Sequence, residues 1–357
     1  GRIEFYKAQS HMVGLRKFHH FLLVVVAVFC FLESKAQSSG TDSYSILNLK
    51  NNAKTAALGM SFLPSLTDDI GAAINNPSTI STENHNDFSL GYASFFAGIN
   101  QATIAASHSI NNIGSFGFGL QYLNYGSFDM TEENGDVTGK FSAADYVFTL
   151  AWGKMLDSNI YIGTNIKPVF SQYESYSAFA LAIDLAVSYQ SKDRSWAASF
   201  MARNMGAEIS KFAQADGKLP FELQFAASKR LAHAPLVLYL GLNNLQKWNI
   251  REDDPLNPRD EADLGGNIRE ESAVAAFTDN LFRHVQIGAE FIPSKYFYLA
   301  FGYSWKQNRE MKLDDAFSIA GLSYGFGINY KGFRLAYSRC EYHRYGSPNY
   351  ISLLVRL

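Results

Sequence analysis

The stretch that decides the fold is residues 220–248, PFELQFAASKRLAHAPLVLYLGLNNLQKW. Its second half places Leu236, Leu238, Leu240 and Leu242 at every other position, with Val, Tyr and Gly between them. Side chains on a strand point alternately to opposite faces, so this period of two predicts a strand with one apolar face and one mixed face. The first half alternates in the same way, and the short break at 231–235 joins the two runs into a predicted hairpin.

The same alternation repeats along most of the chain after Asp87. On the strand predicted at 177–190, for example, Phe179 and Leu181 face away from Ala180 and Ala182. The pattern predicts fourteen strands, with bounds good to about two to four residues. They are 87–95, 100–109, 113–125, 141–153, 159–171, 177–190, 195–205, 219–230, 235–246, 284–292, 296–306, 318–330, 332–342 and 349–357.

Two features favour a closed transmembrane barrel over a soluble two-sheet sandwich. Gly and Ala dominate the weaker face of the strands, with scattered charges such as Asp184 and Glu290, which suits a crowded lumen better than a face exposed to water. Short connections follow the even-numbered strands and long ones follow strands 3, 7, 9 and 11, as in barrels with short periplasmic turns and longer outer loops. The sequence therefore predicts an all-β, 14-stranded antiparallel transmembrane β-barrel of the outer membrane, closed because lipid tolerates no open edge.

The chain before residue 87 divides into three predicted regions. Residues 1–11 precede the first methionine and are interpreted as an upstream extension or tag. Residues 12–36 have a basic start, an apolar run at 21–32 and small residues before a cleavage point, the pattern of a secretory signal peptide. That run is too short for the roughly 20 residues that a membrane-spanning helix needs. Residues 37–86 are expected to lie in or under the lumen of the barrel formed by 87–357.

Residues 37–86 lack the clean alternation of the rest of the chain. Thr67-Asp68-Asp69 precedes the apolar residues 70–74 and predicts a capped short helix there. Asn75-Asn76-Pro77-Ser78 is expected to end it, because proline and asparagine favour turns.

A search for catalytic, cofactor or metal sites finds none. The near-neutral balance of 31 basic and 33 acidic residues argues against a nucleic-acid partner. Gly-x-Gly fragments at 117–119 and 325–327 do not continue into a nucleotide-binding fingerprint. Asn134-Gly135 is interpreted as an exposed turn rather than a calcium loop. Cys30 falls in the signal peptide, and Cys340 is interpreted as a small buried residue of the lumen face rather than as a reactive thiol.

The longest predicted loop, residues 247–283, is rich in charges of both signs and ends in a helix-like piece at 272–283. Loops of this length are uncommon and are usually functional or disordered. Two interpretations stay open with equal weight: a docking surface for an external partner, or a solvated cover over the barrel mouth. On the first, the candidate partner-binding residues are Trp248, Arg251, Asp253, Asp254, Arg259, Asp260 and Phe277.

Several stretches resemble the PorQ family of the type IX secretion system. Ala53 to Gly59, Asp68-Asp69 and Asn75-Asn76-Pro77 resemble the N-terminal segment of PorV-like and PorQ-like outer-membrane proteins. More specific are QYLNYGSF at 121–128 and GKFSAADY at 139–146. The segments Leu219 to Phe225 and Phe291 to Tyr298 extend the likeness over essentially the whole chain after the signal peptide.

This resemblance implies a fourteen-stranded barrel of the fatty-acid-transporter (FadL) type in the outer membrane of Bacteroidota. It also implies membership of a cell-surface attachment complex, in which a non-enzymatic barrel holds the PorZ protein beside the PorU sortase and the PorV barrel. PorU there links secreted cargo to anionic lipopolysaccharide. The resemblance carries no catalytic motif and no cofactor.

Two other functions compete with this one. A FadL-type transporter of hydrophobic small molecules would need a continuous apolar pocket below the outer loops. An open diffusion porin is disfavoured, because fourteen strands fall below the roughly 16–18 of water-filled porins and residues 37–86 are available to fill the space.

Overall fold

The computed structural model of the protein describes residues 43–132, 136–211, 217–251, 261–262, 268–269, 272–311, 319–342 and 346–357. The predicted extension at 1–11, the predicted signal peptide at 12–36 and the Asn134-Gly135 turn lie outside the described residues.

Fourteen antiparallel strands close into a barrel, as the sequence predicts, and a separate two-residue hairpin pairs 261–262 with 268–269. The first strand, β1, pairs with β2 on one side and with the last strand, β14, on the other, so the barrel sheet has no free edge. The barrel strands are β1 Asp87–Ser94, β2 Asn100–Ile110, β3 Gly114–Thr131, β4 Val137–Asp157, β5 Ile160–Tyr173, β6 Tyr176–Gln190, β7 Trp196–Ser210, β8 Glu222–Arg230, β9 Leu236–Leu242, β10 Val285–Ser294, β11 Phe297–Ser304, β12 Leu322–Tyr330, β13 Phe333–Cys340 and β14 Asn349–Arg356.

The predicted inward and outward faces are correct on the strand that first indicated the fold. On β9, Leu238 and Leu240 point outward and are 43% and 41% exposed, whereas Val237 and Tyr239 point inward and are each 6% exposed. An outward row of large apolar side chains costs little in lipid and much in water, so the alternation is a membrane-facing pattern. Many other strands expose apolar residues in the same way, among them Phe118, Phe148, Leu185, Phe301 and Leu335.

The barrel has a tall wall and a short wall. Strands β3–β7, the tall wall, have 14 to 21 residues each, and strands β8–β14, the short wall, have 7 to 10. The predicted long loop after strand 3 is therefore wrong: β3 and β4 continue as paired strands and leave only 132–136 between them. A register shift between Asn124 and Ser127, with Gly126 at φ 93°, bends the pair where the predicted strand ended.

We call the two ends of the barrel the long-loop end and the short-turn end. The long-loop end carries connections 211–221, 243–284 and 305–321, and the short-turn end carries turns such as 158–159 and 331–332. Helix α3 (Ala273–Arg283) agrees with the helix predicted at 272–283, and a second helix at the same end, α4 (Trp305–Met311), was not predicted.

Residues 43–86, here called the plug, fill the lumen as predicted. The plug contains helices α1 (Ala53–Ala57) and α2 (Ile70–Ala73) and 3-10 turns at Ser45–Asn48, Pro77–Thr79 and Thr82–Asn84. The predicted cap of α2 is present, because the Asp69 carboxylate accepts a hydrogen bond of 2.9 Å from the Gly71 backbone N–H. Tyr44 lies towards the long-loop end, beside Glu208 of β7, and Asp87 begins β1 at the short-turn end.

The backbone of the barrel wall approaches the backbone of the plug very closely. A Cβ added to Gly302 would lie 2.1 Å from the Leu58 carbonyl carbon, and one added to Gly163 would lie 2.3 Å from the Pro77 carbonyl carbon. No side chain fits at such distances, which explains the glycines that the sequence places on the lumen face. Ion pairs add to this contact: Lys54 pairs with Glu290 at 2.8 Å, and Arg334 makes a two-point contact with Asp68 at 2.8 and 3.0 Å.

Cys340 is fully buried, and its Sγ lies 3.4 Å from the Ala56 carbonyl oxygen of the plug. It therefore fills space between plug and wall, in agreement with the predicted role. Within the part of the chain that the structure describes, no helix has the length and hydrophobicity needed to cross a membrane.

Candidate functional site: a helical cap at the long-loop end

Three pieces of chain form a cap over one side of the long-loop end. They are the segment 243–251 after β9, helix α3 before β10, and helix α4 after β11. The short wall ends low here, since β9 stops at Leu242 and β11 at Ser304, so helices occupy the space that longer strands fill on the opposite side.

Two side chains near the end of α3 hold the segment 243–251 in place. The His284 ring nitrogens lie 2.6 Å from the Asn243 carbonyl oxygen and 3.0 Å from the Trp248 carbonyl oxygen. The buried Asn280 accepts a hydrogen bond of 3.3 Å from the Ile250 backbone N–H. Buried backbone groups need partners, so these contacts fix a segment that has no regular secondary structure.

One carboxylate holds the parts of the cap together. Asp279 of α3 pairs with Arg283 one turn later at 2.8 Å, with Arg251 of the preceding segment at 3.1 Å and with Arg309 of α4 at 3.2 Å. The Asp279 side chain is 15% exposed, so these contacts are less screened than ordinary surface ion pairs. The Asp279 cluster thus joins three segments that are far apart in sequence.

Aromatic side chains connect the two helices to the barrel. Phe282 of α3 stacks on Trp305 of α4 with ring centroids 4.8 Å apart, and Trp305 meets Tyr303 of β11 edge-on at 4.8 Å. Aromatic pairs of this geometry contribute about 0.5–1.5 kcal/mol each beyond the area that they bury. The helices are therefore fixed on the rim.

The outward side of α3 presents an apolar surface, which we call the cap face. It consists of Val274, Phe277 and Leu281 at helical spacing, together with Trp248, whose ring centroid lies 5.2 Å from that of Phe277. Val274 is 74% exposed and Phe277 is 56% exposed. Contiguous exposed apolar groups on a well-ordered helix at the long-loop end of the barrel are typical of a docking surface.

The structure brings three of the predicted partner-binding residues together in this cap. Trp248 and Phe277 both lie on the cap face and are half exposed. The Arg251 side chain is only 9% exposed and turns into the Asp279 cluster, so it supports the cap from within. The remaining four predicted residues, Asp253, Asp254, Arg259 and Asp260, lie outside the described residues.

Sequence reasoning missed several residues of this site, among them Val274, Asp279 and Leu281. Val274 and Leu281 had a readable signal, since positions 274, 277 and 281 follow the spacing of one helix face. Asp279 had none, because Arg251 lies 28 residues away in the same connection and Arg309 comes from a different connection of the barrel.

A second candidate region, inside the lumen, is polar and tightly filled. Lys167 pairs with Asp184 at 2.7 Å, and Asn165 donates a 3.0 Å hydrogen bond to the same carboxylate. Arg203 donates to the Leu47 carbonyl oxygen of the plug at 3.0 Å. Two cavities between plug and wall measure about 20 and 30 Å³, room for about one water molecule each. These cavities suit bound water rather than a hydrocarbon ligand.

Among the described residues, no group of three His, Cys, Asp or Glu side chains has the geometry of a metal site.

The loop 341–348, also at the long-loop end, carries a further charged contact. Burial alone would raise the pKa of Glu341, but hydrogen bonds from Ser347, Arg339 and Tyr324 lower it below its ordinary value.

Comparison with known proteins shows a similarity of fold. No family model matches the chain, and no curated protein matches its sequence. Among solved structures, the Pseudomonas putida toluene transporter TodX is similar to this chain, with a TM-score of 0.53 and 14% identity over 87% of this chain and 98% of TodX.

Two further structures give weaker similarities. A Pseudomonas aeruginosa FadL homologue has a TM-score of 0.47 and 10% identity over 85% of this chain and 97% of its own length. The CymD monoaromatic hydrocarbon channel has a TM-score of 0.45 and 10% identity over 84% and 97%. The TodX comparison shows that the chain shares its fold with the TodX barrel.

Proposed function

We propose that this protein is a non-enzymatic, multi-pass barrel of the outer membrane that belongs to the type IX secretion system. In this role it anchors the attachment complex: its cap holds a PorZ-like surface protein, and the PorU sortase and the PorV barrel work beside it. That complex links secreted cargo to anionic lipopolysaccharide.

The membrane location is supported by the outer surface of the barrel. Large apolar side chains such as Leu240 and Phe118 point outward and are exposed on a closed sheet, which is unfavourable in water and favourable in lipid. The similarity of the fold to the TodX barrel supports the same location.

Assignment to the type IX system is supported by the positions of the residues that carry the PorQ resemblance. The segments 121–128 and 139–146 pair with each other across β3 and β4, with Tyr122 opposite Tyr146 and Phe128 opposite Phe141. Both pairs make ring contacts, at 5.0 and 5.3 Å between centroids. The two more specific stretches of the resemblance therefore lie on one three-dimensional feature, the tall hairpin at the long-loop end.

The N-terminal part of the resemblance has a structural role. Asn76 is fully buried, and its side-chain amide donates to the Leu63 carbonyl oxygen at 2.9 Å and to Ser199 of the wall at 3.2 Å. Residues 75–77 thus fasten the plug, and a fastened plug favours an anchor over an open channel.

The observation that carries the proposal is the cap face. Its apolar side chains are held by the Asp279 cluster and by His284, so a partner meets a surface that is already ordered. Pre-ordered aromatic residues bind with little loss of side-chain entropy, which is why they dominate the energetics of interfaces.

A gentle detergent pull-down tests this proposal. The tagged wild-type protein and a Phe277→Ser/Leu281→Ser variant are purified from native membranes, and the proteins that co-purify are quantified by mass spectrometry. We expect the PorZ-like protein to co-purify with the wild type. Its recovery with the variant should fall by about tenfold or more, because one residue that dominates an interface contributes more than about 1.4 kcal/mol.

The matched control is Ile113→Ser, which changes an exposed apolar residue at the opposite, short-turn end. Its pull-down should equal that of the wild type. Equal recovery of the PorZ-like protein with the cap variant would exclude the cap face as the docking surface.

The alternative is a FadL-type transporter of hydrophobic small molecules, and the likeness to TodX is the observation that favours it. The two functions differ in a measurable way. A transporter loses uptake of toluene or long-chain fatty acid when the gene is deleted, whereas an anchor loses surface-attached cargo and leaves uptake unchanged.

A further inference from the structure

A cavity of about 290 Å³ lies at the short-turn end, far from the cap. Its lining includes Asp68 of the plug, Arg334 of β13, Arg356 of β14, and two lysines from adjacent turns, Lys295 and Lys331. The cavity therefore crosses the rim from the lumen mouth to the outer surface of the barrel.

Positive charge is in excess in this cavity. Four cationic side chains and one carboxylate line it, and that carboxylate, Asp68, already contacts both Arg334 and Arg356. The two lysines are exposed and reach over the tyrosines beside them, with Lys295 Nζ 5.1 Å from the Tyr296 ring centroid and Lys331 Nζ 5.3 Å from that of Tyr330. Such an arrangement attracts an anion with several acceptor oxygens.

The outer wall beside this cavity faces lipid. Tyr330 and Phe333 line the cavity and are exposed at the rim. Further from the rim along β12 and β13, Ile328 and Leu335 also point outward. Aromatic side chains at a barrel rim mark the level of the membrane interface. The cations thus sit at headgroup depth, with an apolar wall directly adjoining them.

We propose that this cavity binds the phosphodiester headgroup of an anionic phospholipid from the membrane leaflet at the short-turn end. The phosphate lies between Lys295, Lys331 and the arginines, and one acyl chain lies along Ile328 and Leu335. A lysine held near an anionic membrane surface contributes about fivefold to binding, so the two lysines dominate the selectivity for a net negative lipid.

Two features favour a lipid over other anions. A free phosphate ion would use the cations but not the apolar wall. An acidic peptide would use the same charges, but the cavity continues onto a surface where outward residues such as Phe333 and Leu335 face the membrane rather than water.

The test measures lipid retention by native mass spectrometry. The full-length protein, solubilised in a mild detergent, is equilibrated with equal amounts of phosphatidylglycerol and phosphatidylcholine that carry the same acyl chains. The variants are Lys295→Gln, Lys331→Gln and the double variant. Lys229→Gln is the matched control, because Lys229 lies over the exposed Trp196 at 4.1 Å, at the same end but away from the cavity.

We expect the wild type to retain phosphatidylglycerol over phosphatidylcholine, with a loss of about fivefold for each lysine and none for Lys229→Gln. Heat-modifiable migration confirms that each variant is folded. On the unaltered protein, phosphatidylglycerol should also protect Lys295 and Lys331, but not Lys229, from acylation by an amine reagent.

Three outcomes would overturn the proposal. The first is equal retention of the two lipids by the wild type, and the second is unchanged phosphatidylglycerol retention in the double variant. The third is displacement of the bound lipid by millimolar inorganic phosphate, which would identify the cavity as a site for the free ion.

Discussion

The tall and short walls of the barrel differ in how they are built at the long-loop end. Both expose apolar side chains outward and both hold the plug, but β4 of the tall wall has 21 residues and β9 of the short wall has 7. At the long-loop end the tall wall extends as a paired hairpin, whereas the short wall ends and is covered by α3 and α4. Height comes from backbone pairing on one side and from side-chain contacts on the other.

The two walls also hold the plug differently. The tall wall uses a buried polar network around Asp184, which contacts Lys167 and Asn165. Both walls approach the plug backbone closely, at Gly163 of the tall wall and at Gly302 of the short wall, but the short wall adds ion pairs to Lys54 and Asp68. The comparison teaches that the short wall depends on a few specific side chains, so single substitutions there should have the larger effects.

The largest effect is expected for Leu240→Arg on β9. Leu240 faces lipid, and a cation near the membrane midplane costs about 2–4 kcal/mol in a barrel. The matched control is Gly241→Ser, which faces the lumen, where the new Cβ would meet the movable Met60 side chain at 2.9 Å. Folding into detergent or lipid, followed by heat-modifiable migration, measures both. Similar losses for the two variants would show that the faces are assigned wrongly.

Asp279→Ala should loosen the cap and leave the barrel intact. Hydrogen bonds to charged groups contribute about 1.5–3 kcal/mol, and this change removes the shared partner of Arg251, Arg283 and Arg309. Limited proteolysis should cut the 243–284 region faster, while heat-modifiable migration stays as in the wild type. Unchanged proteolysis would mean that the helices are held by their aromatic contacts alone.

Gly302→Ala should displace the plug at a cost of about 1–3 kcal/mol, because its Cβ would overlap the Leu58 backbone. The control, Gly139→Ala, lies on the tall hairpin, where the new Cβ meets only the Met130 Cβ at 4.0 Å. Urea unfolding in detergent compares the two. Equal midpoints would contradict the close contact between plug and short wall.

The smallest effect concerns pH and the loop 341–348. Because the folded pKa of Glu341 is lowered, its contacts stabilise the protein above the ordinary value of 4.5 and are lost as the pH falls below it. Glu341→Gln should therefore cost less than about 1 kcal/mol at pH 7, and this cost should be smaller at about pH 3. Unfolding midpoints of both proteins at the two pH values measure it, and a cost that is equally large in acid would assign the effect to packing.

The barrel itself was predictable from the sequence because membrane-facing apolar residues occupy every second position along its strands. Inward and outward facing follow from alternations such as that at 236–242, strand number follows from their repetition, and closure follows because lipid tolerates no open edge. The tall hairpin was underestimated because Gly126 and the register shift beside it interrupt the alternation, which resumes beyond them with Phe128 and Met130.

The candidate site was only partly predictable. Trp248, Phe277 and the helix at 272–283 could be read from composition and spacing, since they belong to one loop. The Asp279 cluster and the short-turn cavity depend on residues that the closed barrel brings together, such as Asp68 with Arg356, and no local pattern signals such contacts.

The most direct test of the central claim, a plugged barrel that acts through its cap, is the amount of PorZ-like protein on the cell surface. A strain carrying Phe277→Ser/Leu281→Ser in place of the wild-type gene should keep the folded barrel in its outer membrane and lose most of this surface protein, while uptake of fatty acid stays unchanged. Full surface retention together with reduced uptake would contradict the account and favour a transporter.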